Sequence, residues 1–296
     1  MTAPANSVAA FYEAAVDQLN QAGLSFGHGC TCPEDEIAWL ISATLDVPFD
    51  ELDKHWSQPL SDANRATLQA RLIERCTTKA PLAYILGEAW LGPYIFKIDR
   101  RVIVPRSFIA ELIMDDMAPW VQNPAAITRV ADICTGSGCL AILAALHFPN
   151  SQVDAVDLSP EALDVARLNV DMYGIGDRLK LHQGDLMAPV LEQQYDLIIS
   201  NPPYVDAASM DTLPSEYRHE PEMALAGGSD GLDLVHTLLR QAAKTLKPGG
   251  WLVVEIGHNR DAMEATYPDL PLVWLDTAGG SDFVFLIDQA SLQKLL

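Results

Sequence analysis

Four consecutive residues carry the most definite chemistry in this sequence: Asn201-Pro202-Pro203-Tyr204. The Asn201 side chain offers one carbonyl acceptor and a two-proton donor. Pro202 offers a backbone carbonyl and has no N–H to give. Tyr204 offers a flat ring. Two acceptors and a ring make a seat for a planar –NH2 group. The same residues are ordinary turn formers, so the tetrapeptide alone reads equally well as a strand-ending turn. Its position adds information. It closes the apolar run Leu197-Ile198-Ile199-Ser200, and a strand cannot continue through two prolines. The backbone must turn out at the strand's carboxyl end, where open α/β sheets place their ligand crevices.

A second constellation precedes it. Asp132-Ile133-Cys134-Thr135-Gly136-Ser137-Gly138 leaves an apolar strand and enters an apolar helix. Glycines in such a turn let the backbone approach a ligand closely, and the helix amino end favours polar or anionic groups. Asp157 ends the next strand, where an acid can accept both hydroxyls of a ribose. Asp185, after the third strand, would sit beside a base, with Leu158 and Leu186 adjoining the two acids. A dinucleotide fits the same pattern, because Ala141 is a permitted substitute for a third glycine. Three features point instead to S-adenosylmethionine: the acid Asp132 entering the loop, the tetrapeptide after strand four, and a closing hairpin. S-adenosylmethionine has no phosphate, and its ammonium tolerates a carboxylate that would repel a pyrophosphate.

The elements that must position these groups begin with a helical region over residues 1–80. Ser7 to Ala22 carries Val8, Phe11, Tyr12, Ala15 and Leu19 at helical spacing. Pro33 to Leu45 repeats the pattern, and Ser61 precedes a third helix with Leu68, Leu72 and Ile73 as its stripe. Residues 81–104 read as a β-hairpin linker, with Tyr84–Gly87, Tyr94–Ile98 and Arg101–Val104 as β-like runs. Ser107 to Met117 reads as a helix. Residues 105–296 form the main α/β domain. Its expected strands are Arg129–Ile133, Gln152–Asp157, Leu179–His182, Tyr195–Ser200, Trp251–Ile256, Leu272–Leu275 and Phe283–Ile287. The last two are joined across Gly279-Gly280. Helices are expected at Gly138–Phe148, from the Ser159-Pro160-Glu161 cap to Gly174, and at Leu232–Leu246. This is a doubly wound, Rossmann-like sheet with right-handed crossovers and an antiparallel closing hairpin.

Composition narrows the function. The chain has 40 acidic and 19 basic residues, a net charge of −21. Such a surface repels a phosphate backbone and attracts a cationic partner, so stable nucleic-acid binding is not expected. No run reaches the roughly 18 apolar residues of a membrane span. Met1 to Asn6 lacks the basic start of a signal peptide. Five cysteines, an odd number, fit reduced thiols and a cytoplasmic protein. His28-Gly29-Cys30-Thr31-Cys32 has no second Cys/His pair to complete a metal site, so no metal is expected.

Together these residues resemble the class I S-adenosylmethionine-dependent methyltransferases, and within them the HemK-like family that methylates glutamine side-chain amides. The resemblance spans nearly the whole chain. Pro105-Arg106-Ser107-Phe108 through Ile113 is similar to the branch acting on large-subunit ribosomal protein L-three. So is Leu213-Pro214-Ser215-Glu216-Tyr217-Arg218-His219-Glu220-Pro221-Glu222 with Gly231-Leu232-Asp233. Phe108 departs from the pattern, which has proline there. The resemblance implies that the Asn201 oxygen and the Pro202 carbonyl accept the two amide protons, that Pro203 completes the turn, and that Tyr204 packs on the amide plane. The cofactor contacts it implies are Asp132, Cys134, Thr135, Gly136, Ser137, Gly138, Asp157, Leu158, Asp185, Leu186 and Asn201. It assigns Arg106 to substrate binding and the helical region to substrate recognition. Release factors, and less closely an exocyclic amine of nucleic acid, remain alternative acceptors. A non-catalytic assembly factor is opposed by the intact glycine loop and tetrapeptide.

Overall fold

The computed structural model describes residues 6–296, so most of the Met1–Asn6 reading lies outside the described residues. The chain divides into two compact units. One comprises residues 1–89 with Pro214–His219, and the other comprises Trp90–Leu213 with Glu220–Leu296.

The first unit is helical. Helices α1 (Val8–Gln21), α2 (Pro33–Leu45) and α3 (Asp62–Thr78) form as their spacing predicts, with Ser7 and Ser61 capping α1 and α3 through side-chain oxygens. Val8, Phe11, Ala15, Leu19, Ile37, Leu40, Leu68 and Leu72 are buried, whereas Ile73, expected on the α3 stripe, is exposed. A short 3-10 helix over Phe49–His55 has no counterpart in the sequence reading. Tyr84–Gly87, read as β-like, is instead part of helix α4 (Leu82–Leu86). Its apolar run is too short to show a period. Pro81 at its start and Gly87 at φ 75° at its end decide for helix. Beneath α2 and α3 lies a buried ionic cluster. Arg75 donates to Glu36 at 2.6 Å and to Glu216 at 3.4 Å, and the Ser25 N–H donates to Glu216 at 2.8 Å. Glu216 joins Pro214–His219 to this unit, together with His219, which donates to the Thr78 carbonyl at 2.9 Å, and Tyr217, whose ring packs on His28.

Strands β1 (Glu88–Leu91) and β2 (Tyr94–Lys97) form a hairpin that turns at Gly92-Pro93. Ile98 falls outside β2. Arg101–Val104 is not a strand: the Val104 N–H donates to the Glu220 carboxylate at 2.9 Å rather than to a neighbouring strand. The helix expected over Ser107–Met117 is only α5 (Ile109–Met114), because Asp116 and Met117 take positive φ and stop it.

The remaining elements follow in chain order. They are β3 (Arg129–Ile133), α6 (Cys139–His147), β4 (Gln152–Asp157), α7 (Pro160–Tyr173), β5 (Leu179–Gln183), β6 (Tyr195–Ser200), α8 (Ala207–Met210), α9 (Asp233–Thr245), β7 (Leu246–Glu255), α10 (Arg260–Thr266), β8 (Val273–Thr277), β9 (Gly280–Asp288) and α11 (Gln289–Leu292). The seven-stranded sheet runs β5-β4-β3-β6-β7-β9-β8. All pairs are parallel except those made by β9, which lies antiparallel between β7 and β8. The doubly wound sheet with its closing hairpin is therefore as the sequence predicts. β7 starts earlier than expected. Its register jumps from Leu246 to Trp251, so Lys247–Gly250 bulge from the pairing with β6. Central strands β3 and β6 are buried on both faces, which is why they read as unbroken apolar runs.

This order creates a switch point. From β3 the chain winds one way through β4 and β5, then returns to place β6 on the other side of β3. Crevices open where the winding reverses, at the carboxyl ends of the two central strands. No helix among the described residues is long and apolar enough to cross a membrane.

Candidate active site

The β3–β6 register pairs Ile133 with Ser200, and the Ser200 hydroxyl donates to the Ile133 carbonyl at 2.7 Å. One residue further along each strand stand Cys134 and Asn201. Both line one cavity, together with Gly136, Asp157, Asp185 and Pro203. Two stretches distant in sequence thus meet at one sheet edge. Leu158 and Leu186 also line the cavity. No hydrogen bond among the described residues engages the Asn201 amide, so its donors and acceptor stay available to a ligand.

The glycine loop depends on backbone shape. Cys134, Gly136 and Gly138 all have positive φ, and a Cβ on Gly138 would come within 3.2 Å of the Ala166 Cβ. Gly138 therefore lets α6 start tight against α7. The Asp157 carboxylate closes the loop from the other side, accepting the Gly136 N–H at 2.8 Å and the Ser159 N–H at 2.9 Å. Burial raises the Asp157 pKa, and these N–H groups only partly offset the effect.

Asp132 does not line the cavity. It is buried below the loop, where one oxygen accepts the Thr135 hydroxyl at 2.5 Å and the Ala141 N–H at 3.0 Å. Its other oxygen has no hydrogen-bond partner. Burial pushes its pKa up to about 7. Thr135, Ser137 and Gly138 likewise shape the loop without facing the cavity, and the Ser137 carbonyl accepts from Asn169 at 2.9 Å. Pro202 is buried, and Tyr204 lies beside the cavity without lining it.

Arg106 is engaged elsewhere. Its guanidinium donates twice to Glu220, at 2.5 and 2.8 Å, and once to the Val104 carbonyl at 3.0 Å. This pins residues 104–106 to the start of the Pro221–Ala224 segment. The stretches on either side of this pairing contribute Arg101, Val102, Ile103, Pro221, Met223 and Ala224 to the cavity wall, none of which was expected as a site residue. Arg101–Val104 read as a strand and Pro221 as part of a family-like stretch, and the tertiary pairing through Glu220 brings both to the cavity.

A second buried acid holds the neighbouring residues. Glu255 accepts the Ser107 hydroxyl at 2.6 Å and the Phe108 N–H at 2.8 Å. Phe108 replaces the expected proline, and its ring fills the space over Gly279, 5.4 Å from the Phe283 ring centroid. Burial pushes the Glu255 pKa up to about 7. The folded state thus prefers a protonated Glu255. Its stabilising contribution is complete below about pH 4.5 and is lost as pH rises through about 7. Glu255→Gln keeps the acceptor without the titration. Relative to wild type it should gain stability between about pH 5 and 8, on the order of 2–4 kcal/mol. Urea midpoints of both proteins across that range test this, and parallel curves would remove Glu255 as the titrating group.

A family model described as methyltransferase small domain matches residues 114–215, which hold the glycine loop, Asp157 and the tetrapeptide. The ribosomal protein uL3 glutamine methyltransferase of Neisseria meningitidis serogroup B is 50% identical over 278 residues, covering 94% of this chain and 91% of the relative. That of Bordetella pertussis is 51% identical, covering 94% and 93%. The chain belongs to the ribosomal protein uL3 glutamine methyltransferase family. Among solved structures, the hMettl16 catalytic domain in complex with MAT2A 3′UTR hairpin 1 superposes with a TM-score of 0.52 at 17% identity. That match covers 85% of this chain and 89% of the other, and it supports the fold alone. As a member of the uL3 glutamine methyltransferase family, the protein is an enzyme of the methyltransferase class, as the tetrapeptide and loop led us to expect.

Proposed function

We propose that the chain transfers a methyl group from S-adenosylmethionine to the side-chain amide nitrogen of a glutamine in ribosomal protein uL3. The observation that carries this reading is the meeting of Asn201 and Pro203 with the glycine loop and Asp157 in one cavity at the β3–β6 switch point. The lining suits this cofactor: Asp157 and Asp185 offer acceptors for hydroxyl and amino groups, and Leu158 and Leu186 offer apolar surface. When bound, S-adenosylmethionine supplies an electrophilic methyl on a sulfonium.

The chain's own task is to make an amide nitrogen react. That nitrogen is a poor nucleophile because its lone pair is delocalised into the carbonyl. The Asn201 oxygen and the Pro202 carbonyl accept its two protons and disperse the positive charge that grows on nitrogen. They also hold the nitrogen in one orientation, and Tyr204 covers the amide plane. The extra proton passes from the nitrogen to solvent water after transfer, so no acid–base pair is required. Asp157 holds the ribose. Asp132 acts on the loop from below, and Arg106 orders the wall through Glu220 rather than touching substrate. The helical region recognises the protein substrate, and the net charge of −21 suits a basic ribosomal protein met in the cytoplasm.

The test is transfer of radiolabelled methyl to a mixture of ribosomal proteins, release factors and nucleic acid. Label confined to uL3 glutamine supports the reading. Label on release factors or on nucleic acid, with uL3 unmodified, overturns it.

Asp157→Ala should weaken S-adenosylmethionine binding at least about tenfold while the protein stays folded. Charge-assisted hydrogen bonds of this kind contribute roughly 1.5–3 kcal/mol each. Calorimetric titration measures the change, and an unchanged affinity would take Asp157 out of the site.

A further inference from the structure

Tyr204 is closely surrounded at both its backbone and its ring. The Asn259 side-chain amide donates to the Tyr204 carbonyl at 2.7 Å. A Cβ on Gly231 would lie 2.4 Å from that carbonyl oxygen and 2.5 Å from the Asn259 amide nitrogen. A Cβ on Gly227 would lie 2.6 Å from the Tyr204 Cα, and one on Gly257 would lie 2.6 Å from the Tyr204 ring. Gly227 is not among the residues with positive φ, so its lack of a side chain serves space and not backbone conformation. Beyond Tyr204, the Val205 N–H donates to the Leu225 carbonyl and Val205 accepts from the Gly227 N–H at 2.8 Å.

Asn259 shows that this arrangement overrides local preference. It occupies the N-cap position of α10, where an asparagine side chain ordinarily accepts from its own helix. Here it makes no capping bond. The helix forgoes that stabilisation, and the amide points at the Tyr204 carbonyl instead. Departures from local rules of this kind gather at functional sites.

From this geometry we infer that Asn259 is a positioning residue for methyl transfer. It acts through Tyr204, fixing the Pro203–Tyr204 backbone so that the tyrosine ring and the Asn201–Pro202 acceptors keep one arrangement around the substrate amide. The inference rests on the proposed role of Asn201–Tyr204. Asn259 does not line the cofactor cavity, so it governs transfer rather than cofactor capture. The three glycines leave the room in which the amide and the ring can sit.

The experiment compares wild type with Asn259→Asp, which keeps the shape but turns an acceptor toward the carbonyl, and with Asn259→Leu, which removes both polar groups. Both should lower the single-turnover rate on uL3 at saturating cofactor by roughly 10- to 100-fold, as small misplacements in a reacting geometry do. Cofactor affinity should stay within about threefold, below the tenfold step of 1.4 kcal/mol. In parallel, 3-fluorotyrosine at Tyr204 should give one narrow fluorine resonance in wild type and a shifted or broadened one in both variants. Wild-type rates in Asn259→Asp, or a fluorine spectrum identical to wild type, would overturn the inference. So would a parallel loss of rate and cofactor affinity. If wild type leaves uL3 unmethylated, the functional reading fails, and the fluorine spectrum still decides whether Asn259 holds Tyr204.

Discussion

Asn201→Ala should lower methyl transfer by about 10²–10³ while leaving most of the cofactor affinity, by analogy with the loss of one preorganised oxyanion-hole donor. Asn201 lines the cavity beside Cys134, at the ends of the two central strands. In the proposed mechanism, truncation leaves one substrate amide proton without a directed acceptor at the moment charge grows on nitrogen. Asn201→Asp separates acceptor from charge. It keeps the shape and the acceptor, but its negative charge also stabilises a nearby sulfonium in the ground state, which offsets part of the gain. The expected order of single-turnover rates at saturating cofactor is Asn above Asp above Ala. An alanine variant as fast as wild type would reduce Asn201 to a turn former.

Arg75→Ala should have the largest effect on stability, a loss of about 3–5 kcal/mol, as when one partner of a buried ion pair is removed. Arg75, Glu36 and Glu216 are only 2%, 5% and 1% exposed. Truncating the cation leaves two carboxylates buried together with no opposite charge. Burial already raises the Glu36 pKa against the lowering effect of Arg75. A raised acid favours the folded state only while protonated, so the deficit of the variant should shrink at acid pH and grow as pH rises. Urea unfolding midpoints, with hydrogen-exchange protection of α2 and α3, provide the measurement. Unchanged protection at neutral pH would mean that water, not Arg75, compensates the two acids. Replacing all three residues, as Glu36→Gln, Arg75→Met and Glu216→Gln, should recover much of the loss because no unpaired charge remains.

The acidic cluster also shows where reading along the chain stops. Arg75 stands in the last turn of α3, where a basic residue complements the helix dipole. That it is buried depends on Glu36 and on Glu216, the second of which lies 141 residues away in sequence. The β-like reading of Arg101–Val104 failed for the same reason. A strand and an extended loop share backbone angles, and they differ in whether the N–H meets another backbone or, as here, the Glu220 carboxylate.

By itself the sequence determined the sheet strands, the capped helices, the glycine loop, Asp157 and the tetrapeptide. Each of these rests on local physics: the period of apolar residues, the missing N–H of proline, the side-chain oxygen of a cap, the positive φ open to glycine. Tertiary structure alone decided that β6 lies against β3, which sets Asn201 next to Cys134. It also decided that Asp132 is buried and does not line the cavity, that Arg106 pairs with Glu220, and that Asn259 turns from its own helix to Tyr204. These choices depend on which distant groups share a buried space. A buried donor or acceptor must find a partner wherever the chain brings one, and spacing along the sequence does not reveal where that is.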